Sequence, residues 1–538
     1  MERARQALSS VLVTLLAGCG GGGGGSGGGT SPTPPAYSAV TLVQVSKASA
    51  FTPGCDGVAA TGTLYTDTAA EPSVVVNPVN AMNVIAGWQQ NRWSDGGSQG
   101  LALAASFDGG STWTQASAAF SRCTGGASGN AGDYARASDV WLTASPDGTV
   151  YALSLSFTGA ALTPGSSNAM LVARSVNGGL DWSAPVALIA ESGGQAFDDK
   201  GSITADPTDS SYVYAVWDRL TGSSGGPTYL AVTADAGATW QAARSIYDPG
   251  SANQTLGNQV AVLPPDEVLD IFTELDETGS GTTAAFARLV QSTDHGTSWS
   301  APITISDLEP IGTTDPKTGQ RVRDGADIVS VSVAPGGAIY VAWQDARFAS
   351  GAHDGIALAH SSDGGTTWSA PIEVNGDPSV QAFTPTVHVD ASGTIAVTYY
   401  DLRNDAFAPL GELLADAWIV TSSDGSTFTE AHLSGPFDMD LAPDSGGLFV
   451  GDYESLASIT GSLPVYAQTD AGTDVRSDAF MAFPAGTASA ATAHIGVTAA
   501  VGVFRAQLPP PDFTLAPAVR GRIAARIAER QIERRREP

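Results

Sequence analysis

The sequence predicts an all-β fold, a β-propeller of four-stranded blades, and three observations carry that expectation. An eight-residue turn motif recurs at intervals of about 60–70 residues, and each copy sits among short alternating strands. The composition adds to this: glycine occurs 63 times and tryptophan 11 times in 538 residues, which favours tight turns and anchored strands over helices.

The motif reads Ser-x-Asp-x-Gly-x-Thr-Trp. Copies run from Ser106 to Trp113, Ser175 to Trp182, Thr233 to Trp240, Ser292 to Trp299 and Ser361 to Trp368, and a weaker one from Ser422 to Phe428. Its chemistry is that of a stapled hairpin. The acidic side chain accepts backbone N–H bonds in a tight turn, glycine supplies a positive φ, a hydroxyl closes the turn, and the indole buries against the next sheet. The motif aspartates are therefore expected to be structural rather than catalytic.

Residues 327–373 show the larger unit. Ile328 to Val333 alternates and stops at Pro335-Gly336-Gly337; Ala338 to Trp343, Ile356 to His360 and Ser369 to Val374 follow as further strands. Comparable units start near residues 72, 138, 200, 258 and 383, and a last one at about 447–483 keeps the strands without the motif. Seven blades are expected, with six the alternative if the last unit packs differently. Ala39–Val45 is placed to add a strand to the last blade and close the ring.

This topology separates two faces. The stapled turns join third and fourth strands, so they lie opposite the face where first strands begin, and ligands are expected at the latter. First-strand starts carry Asp139, Asp199, Lys200, Asn258, Asp327 and Gly451-Asp452-Tyr453. Second-strand ends carry Arg92, Asp218-Arg219, Glu274, Asp345 with Arg347, and Asp401 with Arg403. The recurring Asp/Arg pairs read either as structural ion pairs or as a ring facing one pocket.

The units resemble the Asp-box, or BNR, repeats of the sialidase superfamily over roughly residues 70–485. The resemblance implies a propeller acting on glycans, in its sharpest form an exo-sialidase-type hydrolase. Such chemistry uses three arginines on the substrate carboxylate, a tyrosine nucleophile activated by a glutamate, and an aspartate acid/base. By position, Arg92, Arg219, Arg347 and Arg403 would bind substrate, Tyr453 would attack, Glu274 would activate it, and Asp95 or Asp139 would serve as acid. The family's Phe/Tyr-Arg-Ile-Pro motif is absent before the first blade. The alternative is a non-catalytic carbohydrate- or protein-binding propeller.

The chain ends have their own character. Residues 1–19 read as an export leader: Arg3 and Arg5, an apolar run from Ala7 to Ala17, then Leu16-Ala17-Gly18-Cys19, which resembles the bacterial lipobox and implies lipidation of Cys19. Residues 20–36 are a Gly- and Pro-rich tether, 37–508 the propeller, and 509–538 a Pro-rich break followed by an arginine-rich terminal helix. A lipid-anchored monomer in the cell envelope follows as the expectation. The formal charge of −29 argues against nucleic acid and leaves the lipid anchor as the only membrane contact. Cys55 and Cys123 remain as an expected disulfide in an oxidising compartment, and no Cys/His cluster supports zinc. No cofactor is expected beyond calcium, for which Asp438, Asp440 and Asp444 crowd one loop; a solvated loop is the alternative.

Overall fold

A computed structural model of the chain describes residues 40–509 except 222–224, 278–282, 410, 460, 473 and 484–501. The leader with Cys19, the tether at 20–36 and the expected arginine-rich helix lie outside the described residues.

Among the described residues, strand pairing gives seven antiparallel repeats of at least four strands. Their first strands are Leu64–Val76, Arg136–Ala144, Ala196–Ala205, Gln254–Leu263, Ser330–Val333, Ala382–Val389 and Ser455–Ser458. Each first strand packs on that of the next repeat, and the last packs on the first, which makes a closed β-propeller. Closure is shared between the chain ends: Thr41–Gln44 pairs antiparallel with Phe480–Phe483 and supplies the fourth strand of repeat 7. Repeat 6 carries a fifth strand, Gly502–Arg505, beyond Thr427–Asp438. Cys55 and Cys123 are disulfide-bonded, with Cα atoms 4.9 Å apart, and join the segment before repeat 1 to the loop after it.

The repeated motif builds the turn its residues dictate. In repeat 1, Ser106 Oγ donates to Asp108 Oδ1 at 2.8 Å and accepts from the Gly110 amide at 2.8 Å. The Thr112 amide and hydroxyl donate to the two oxygens of Asp108 at 2.8 and 2.7 Å, and Trp113 Nε1 donates to the Gly110 carbonyl at 3.0 Å. The turns at Asp235, Asp294 and Asp363 repeat the amide and hydroxyl bonds to the aspartate. In repeat 6 the Thr427 amide still donates to Asp424, and Phe428 is buried where other copies place an indole.

A second regularity was not visible as a motif. Five of the seven first strands carry a register shift at an equivalent position: between Ala70 and Ser73, Ser138 and Trp141, Asp199 and Ser202, Leu256 and Gln259, and Phe383 and Thr386. The first bulged residue has a positive φ each time: Glu71 at 49°, Asp139 at 53°, Lys200 at 42°, Gly257 at 63° and Thr384 at 51°. Four of these five are not glycine, so the backbone holds a conformation that L-residues resist. Such a bulge re-aims a side chain off the alternation of its strand. The neighbouring strand faces the bulge with Trp88, Trp217, Phe272 and Tyr399 in repeats 1, 3, 4 and 6, all buried.

Candidate functional site

The bulges of repeats 1, 2 and 3 bring Glu71, Asp139 and Lys200 together. Lys200 Nζ lies 3.4 Å from Glu71 Oε1, 3.3 Å from Asp139 Oδ1 and 2.7 Å from Asp452 Oδ2. Arg323 closes the far side, donating through Nε and Nη2 to the two oxygens of Asp452 at 3.0 and 2.7 Å. All five side chains are nearly out of solvent: Glu71 is 1% exposed, Asp139 2%, Asp452 6% and Lys200 8%, and the Arg323 side chain 13%.

Two loops roof this cluster. Val322-Arg323 pairs in parallel with Leu448-Phe449, and two guanidinium groups lie over the Phe449 ring, Arg92 at 4.5 Å and Arg323 at 4.6 Å. Glycine is required where the loops meet: at Gly325 (φ 61°) a Cβ would fall 1.9 Å from the Asp452 carbonyl oxygen. Arg92 also donates to Gln89 Oε1 at 2.6 Å and to Ser445 Oγ at 3.1 Å, and Gln89 Nε2 donates to Glu71.

The electrostatics separate the carboxylates. Burial drives Glu71 up from 4.5 to about 7, although Lys200 opposes it, and the neighbouring Asp139 and Asp452 add to the rise. Asp139 is also raised, by burial first. For Asp452 burial acts upward, but Arg323 and Lys200 overcome it and hold the group well below the usual carboxylate range. Lys200 is raised well above its ordinary value by the three carboxylates, which outweigh its burial. The cluster thus holds one firmly ionised carboxylate and one that titrates near neutrality.

Beneath the cluster the ring encloses a hollow of about 170 Å³ along the first strands, lined by Trp141, Gln259, Ser330, His388, Tyr453 and Glu454 among others. The Tyr453 ring lies 5.4 Å from Trp141 and 5.7 Å from Lys200 Nζ, and its hydroxyl oxygen is buried without a hydrogen-bond partner. Burial raises this phenol well above its ordinary value, and Glu71 and Asp139 push it further. Glu454 accepts from Tyr400 Oη at 2.6 Å and from the Ala467 amide at 3.1 Å; burial raises its carboxyl well above the ordinary range.

Of the residues expected from sequence, Asp139 and Tyr453 lie at this centre, and Arg92 stands beside it. Glu274 does not meet Tyr453. It accepts from Tyr247 Oη at 2.6 Å and pairs with Arg288 at 3.3 Å, because its strand end faces the outer strand of repeat 3. Asp95 pairs with Arg136 at 2.9 Å; burial acts upward on its carboxyl, but hydrogen bonds from Arg136 and Thr61 lower it on balance. Arg219, Arg347 and Arg403 do not converge and share no partner. Arg219 pairs with Asp198 at 3.1 Å and with Glu191, Arg347 with Asp345 at 2.8 Å, and Arg403 with Asp401 at 2.6 Å and Glu430 at 2.8 Å. Two of them also lie on rings, Arg219 on Tyr229 and Arg403 on Trp418 at 3.6 Å. These are ion pairs within a repeat, or in the case of Arg219 with Glu191 between neighbouring repeats.

The acidic loop likewise satisfies itself from the backbone: Asp438 accepts from the Leu413 and Asp440 amides, and Asp444 from the Gly447 amide. Among the described residues no group of three or more His, Cys, Asp or Glu is placed to share a metal ion.

Sequence reading missed Glu71 and Arg323. Glu71 falls just before the first strand as read from alternation, since that strand bulges. Arg323 sits in the connection between repeats 4 and 5, between Leu308 and Ser330, outside the strand units that the repeat pattern marks. The position rule for first-strand starts did reach Lys200 and Asp452.

No family model matches the chain, and no curated protein matches it. Solved structures do resemble it. An α-L-arabinanase of Penicillium chrysogenum, complexed with arabinobiose, aligns at 16% identity over 68% of this chain and 94% of its own, with a TM-score of 0.44. A Hadza microbial sialidase aligns at 16% identity over 74% of this chain and 76% of its own, with a TM-score of 0.42. A sialidase of Trypanosoma rangeli aligns at 14% identity over 67% and 55% respectively, with a TM-score of 0.39.

Proposed function

We propose that the protein is an exported propeller, tethered through a lipid on Cys19, that acts on glycans at the strand-start mouth of the ring. The observation that carries this reading is the pairing of unlike carboxylates on one ammonium. Glu71 titrates at about 7, and Asp452 stays ionised. Groups whose surroundings drive their pKa values apart are suited to divide acid and base roles. Glu71, Asp139 and Asp452 all have an oxygen within 3.4 Å of Lys200 Nζ, so they lie closer together than the ~9.5 Å upper limit for the paired carboxyl groups of glycoside hydrolases. In this reading Glu71 is the acid that protonates a leaving glycosidic oxygen. The ionised carboxylate of Asp452 stabilises positive charge at the sugar; water then bonds to the anomeric carbon, and its proton returns to Glu71.

The substrate class follows from the arginines. A sialoside needs several guanidinium groups free for its carboxylate. Arg219, Arg347 and Arg403 are each occupied by acidic side chains of the protein. A neutral glycan fits this centre better than an acidic one.

A panel of fluorogenic neutral pentosides and hexosides, with a sialoside beside them, tests the reading. Turnover is expected on a neutral glycoside and not on the sialoside. Glu71→Gln lowers kcat at least 100-fold, and the wild-type rate falls as pH rises through about 7, where Glu71 loses its proton. A second reading, a glycan-binding propeller without catalysis, is favoured by the ion-pairing of Lys200 and Arg323 and the low exposure of the cluster. Glycan binding that survives Glu71→Gln, with no turnover on any substrate of the panel, selects it.

A further inference from the structure

Large apolar side chains are concentrated at one end of repeats 1 and 2. Eight are exposed among the described residues, and five of them are Val79, Phe107, Val176, Leu180 and Val186. Val79 lies in the turn after a first strand; Phe107, Val176 and Leu180 lie in stapled turns; Val186 opens a fourth strand. All these positions are at the box end of the ring. The two repeats interlock there. A Cβ on Gly178 would lie 3.0 Å from the Phe107 ring, and one on Gly148 would lie 2.6 Å from a Val79 methyl. The apolar surface continues inward to Met82 and Ile459, which flank Gly109.

The chain enters the fold at this same end. Third strands run toward the box end, and Thr41–Gln44 runs antiparallel to the third strand of repeat 7, with Thr41 opposite Phe483. Phe483 also packs within 3.3 Å of the Cβ position of Gly110, in the stapled turn of repeat 1. About 20 residues separate Cys19 from this point, a chain that reaches at most ~70 Å when fully extended. A lipid on Cys19 therefore keeps the apolar end within reach of the bilayer that holds it.

We infer that the box end of repeats 1 and 2 rests on the lipid surface, which turns the strand-start mouth with Glu71 and Lys200 away from the membrane. The inference rests on the lipid-tether reading. Exposed Asp147 and Asp181 flank the apolar side chains, so the surface that fits is one of zwitterionic headgroups rather than anionic ones. The patch orients a body that the acyl chains already hold at the bilayer.

The test uses the full chain acylated at Cys19 on phosphatidylcholine vesicles. An environment-sensitive dye is attached at Thr114→Cys, at the box end, or at Ser192→Cys, at the opposite end, and quenched by spin-labelled lipid. At least threefold stronger quenching at position 114 is expected, falling to parity in Phe107→Ser/Val176→Ser. Equal quenching at both positions in protein that floats with the vesicles overturns the orientation and leaves the tether standing. Flotation that is unchanged in Cys19→Ala overturns the tether itself. Sedimentation of Cys19→Ala as a dimer that Val176→Ser dissociates assigns the patch to a second copy, and also overturns the inference.

Discussion

The molecule uses aspartate and glutamate in two opposite ways, at the rim of the ring and at its centre. In the stapled turns Asp235, Asp294, Asp363 and Asp424 are held at about 2 by hydrogen bonds from hydroxyls and amides a few residues away. At the centre Glu71 is driven to about 7 by burial, and its cationic partner comes from 129 residues along the chain. The rim is local and water-facing, so each turn closes with its own residues. The centre is assembled from four repeats and a connection between repeats, so it exists only when the ring does. The same functional group is thus a staple where water solvates it and a titrating centre where water is excluded.

The largest effect that would sharpen this contrast is removal of the central cation. Lys200→Met leaves Glu71, Asp139 and Asp452 buried together without the ammonium group that faces all three. Breaking a buried charge network in this way typically costs about 3–5 kcal/mol, and denaturant unfolding is expected to show a loss of that size. A loss under ~1 kcal/mol, the size typical of exposed pairs, would erase the distinction between centre and rim. Lys200→Met combined with Glu71→Gln should recover part of the loss, since one uncompensated charge is gone.

Next in size is the pH dependence of the centre. The folded-state value of Glu71 lies above its unfolded value, so the native state holds this proton more tightly. Its contribution to stability is therefore full below about 4.5 and is lost as pH rises toward about 7. Unfolding midpoints of Glu71→Gln are expected to fall less than those of wild type between these limits. Asp198 and Asp401, also raised by burial, remain in both proteins, so the difference curve isolates Glu71. Parallel curves would mean that Glu71 is ionised throughout.

At the rim the decisive atom is the serine that opens each turn. Ser361 Oγ is buried, donates to Asp363 and accepts from the Gly365 amide at 2.9 Å. Ser361→Ala leaves that buried amide without its acceptor, at a cost of about 1–3 kcal/mol. The same change at Ser422 is expected to cost less, because the shortened turn lacks the indole and holds Gly425 less deeply. Equal losses at the two sites would show that the indole adds nothing to the staple.

These predictions also mark what the sequence could reveal. The stapled turn is legible because all its partners fall within eight residues, and the first-strand rule reached Asp139, Lys200, Asp452 and Tyr453 because repeats share a start. Glu71 escaped because a bulge moves the strand's apparent beginning. Arg323 escaped because it lies in a connection between repeats, where the strand pattern gives no position rule. The pairing of Glu274 with Tyr247 rather than Tyr453 depends on which outer strand faces a second-strand end, and neither residue carries a local signal of that contact. The Asp/Arg pairs were legible as a recurrence; their structural use shows only in the partners, such as Trp418 Nε1 donating to Asp401 at 2.9 Å above the same Arg403.

The smallest expected effect lies at the rim in acid. The turn aspartates have folded-state values depressed to about 2, so their contribution is present above ~4 and is lost as pH falls toward 2. Asp235, Asp294 and Asp363 are fully exposed, so each acts through its hydrogen bonds and is weakened by competition from water. Asp235→Asn/Asp294→Asn/Asp363→Asn keeps an oxygen acceptor, as Asn177 does naturally by accepting the Asp181 amide at 3.0 Å in repeat 2. The triple variant should therefore stay close to wild type at neutral pH and lose less stability between pH ~4 and 2. If it instead changes the slope near pH 7, rim and centre are coupled through the sheets, and the division between a local staple and a ring-dependent centre fails.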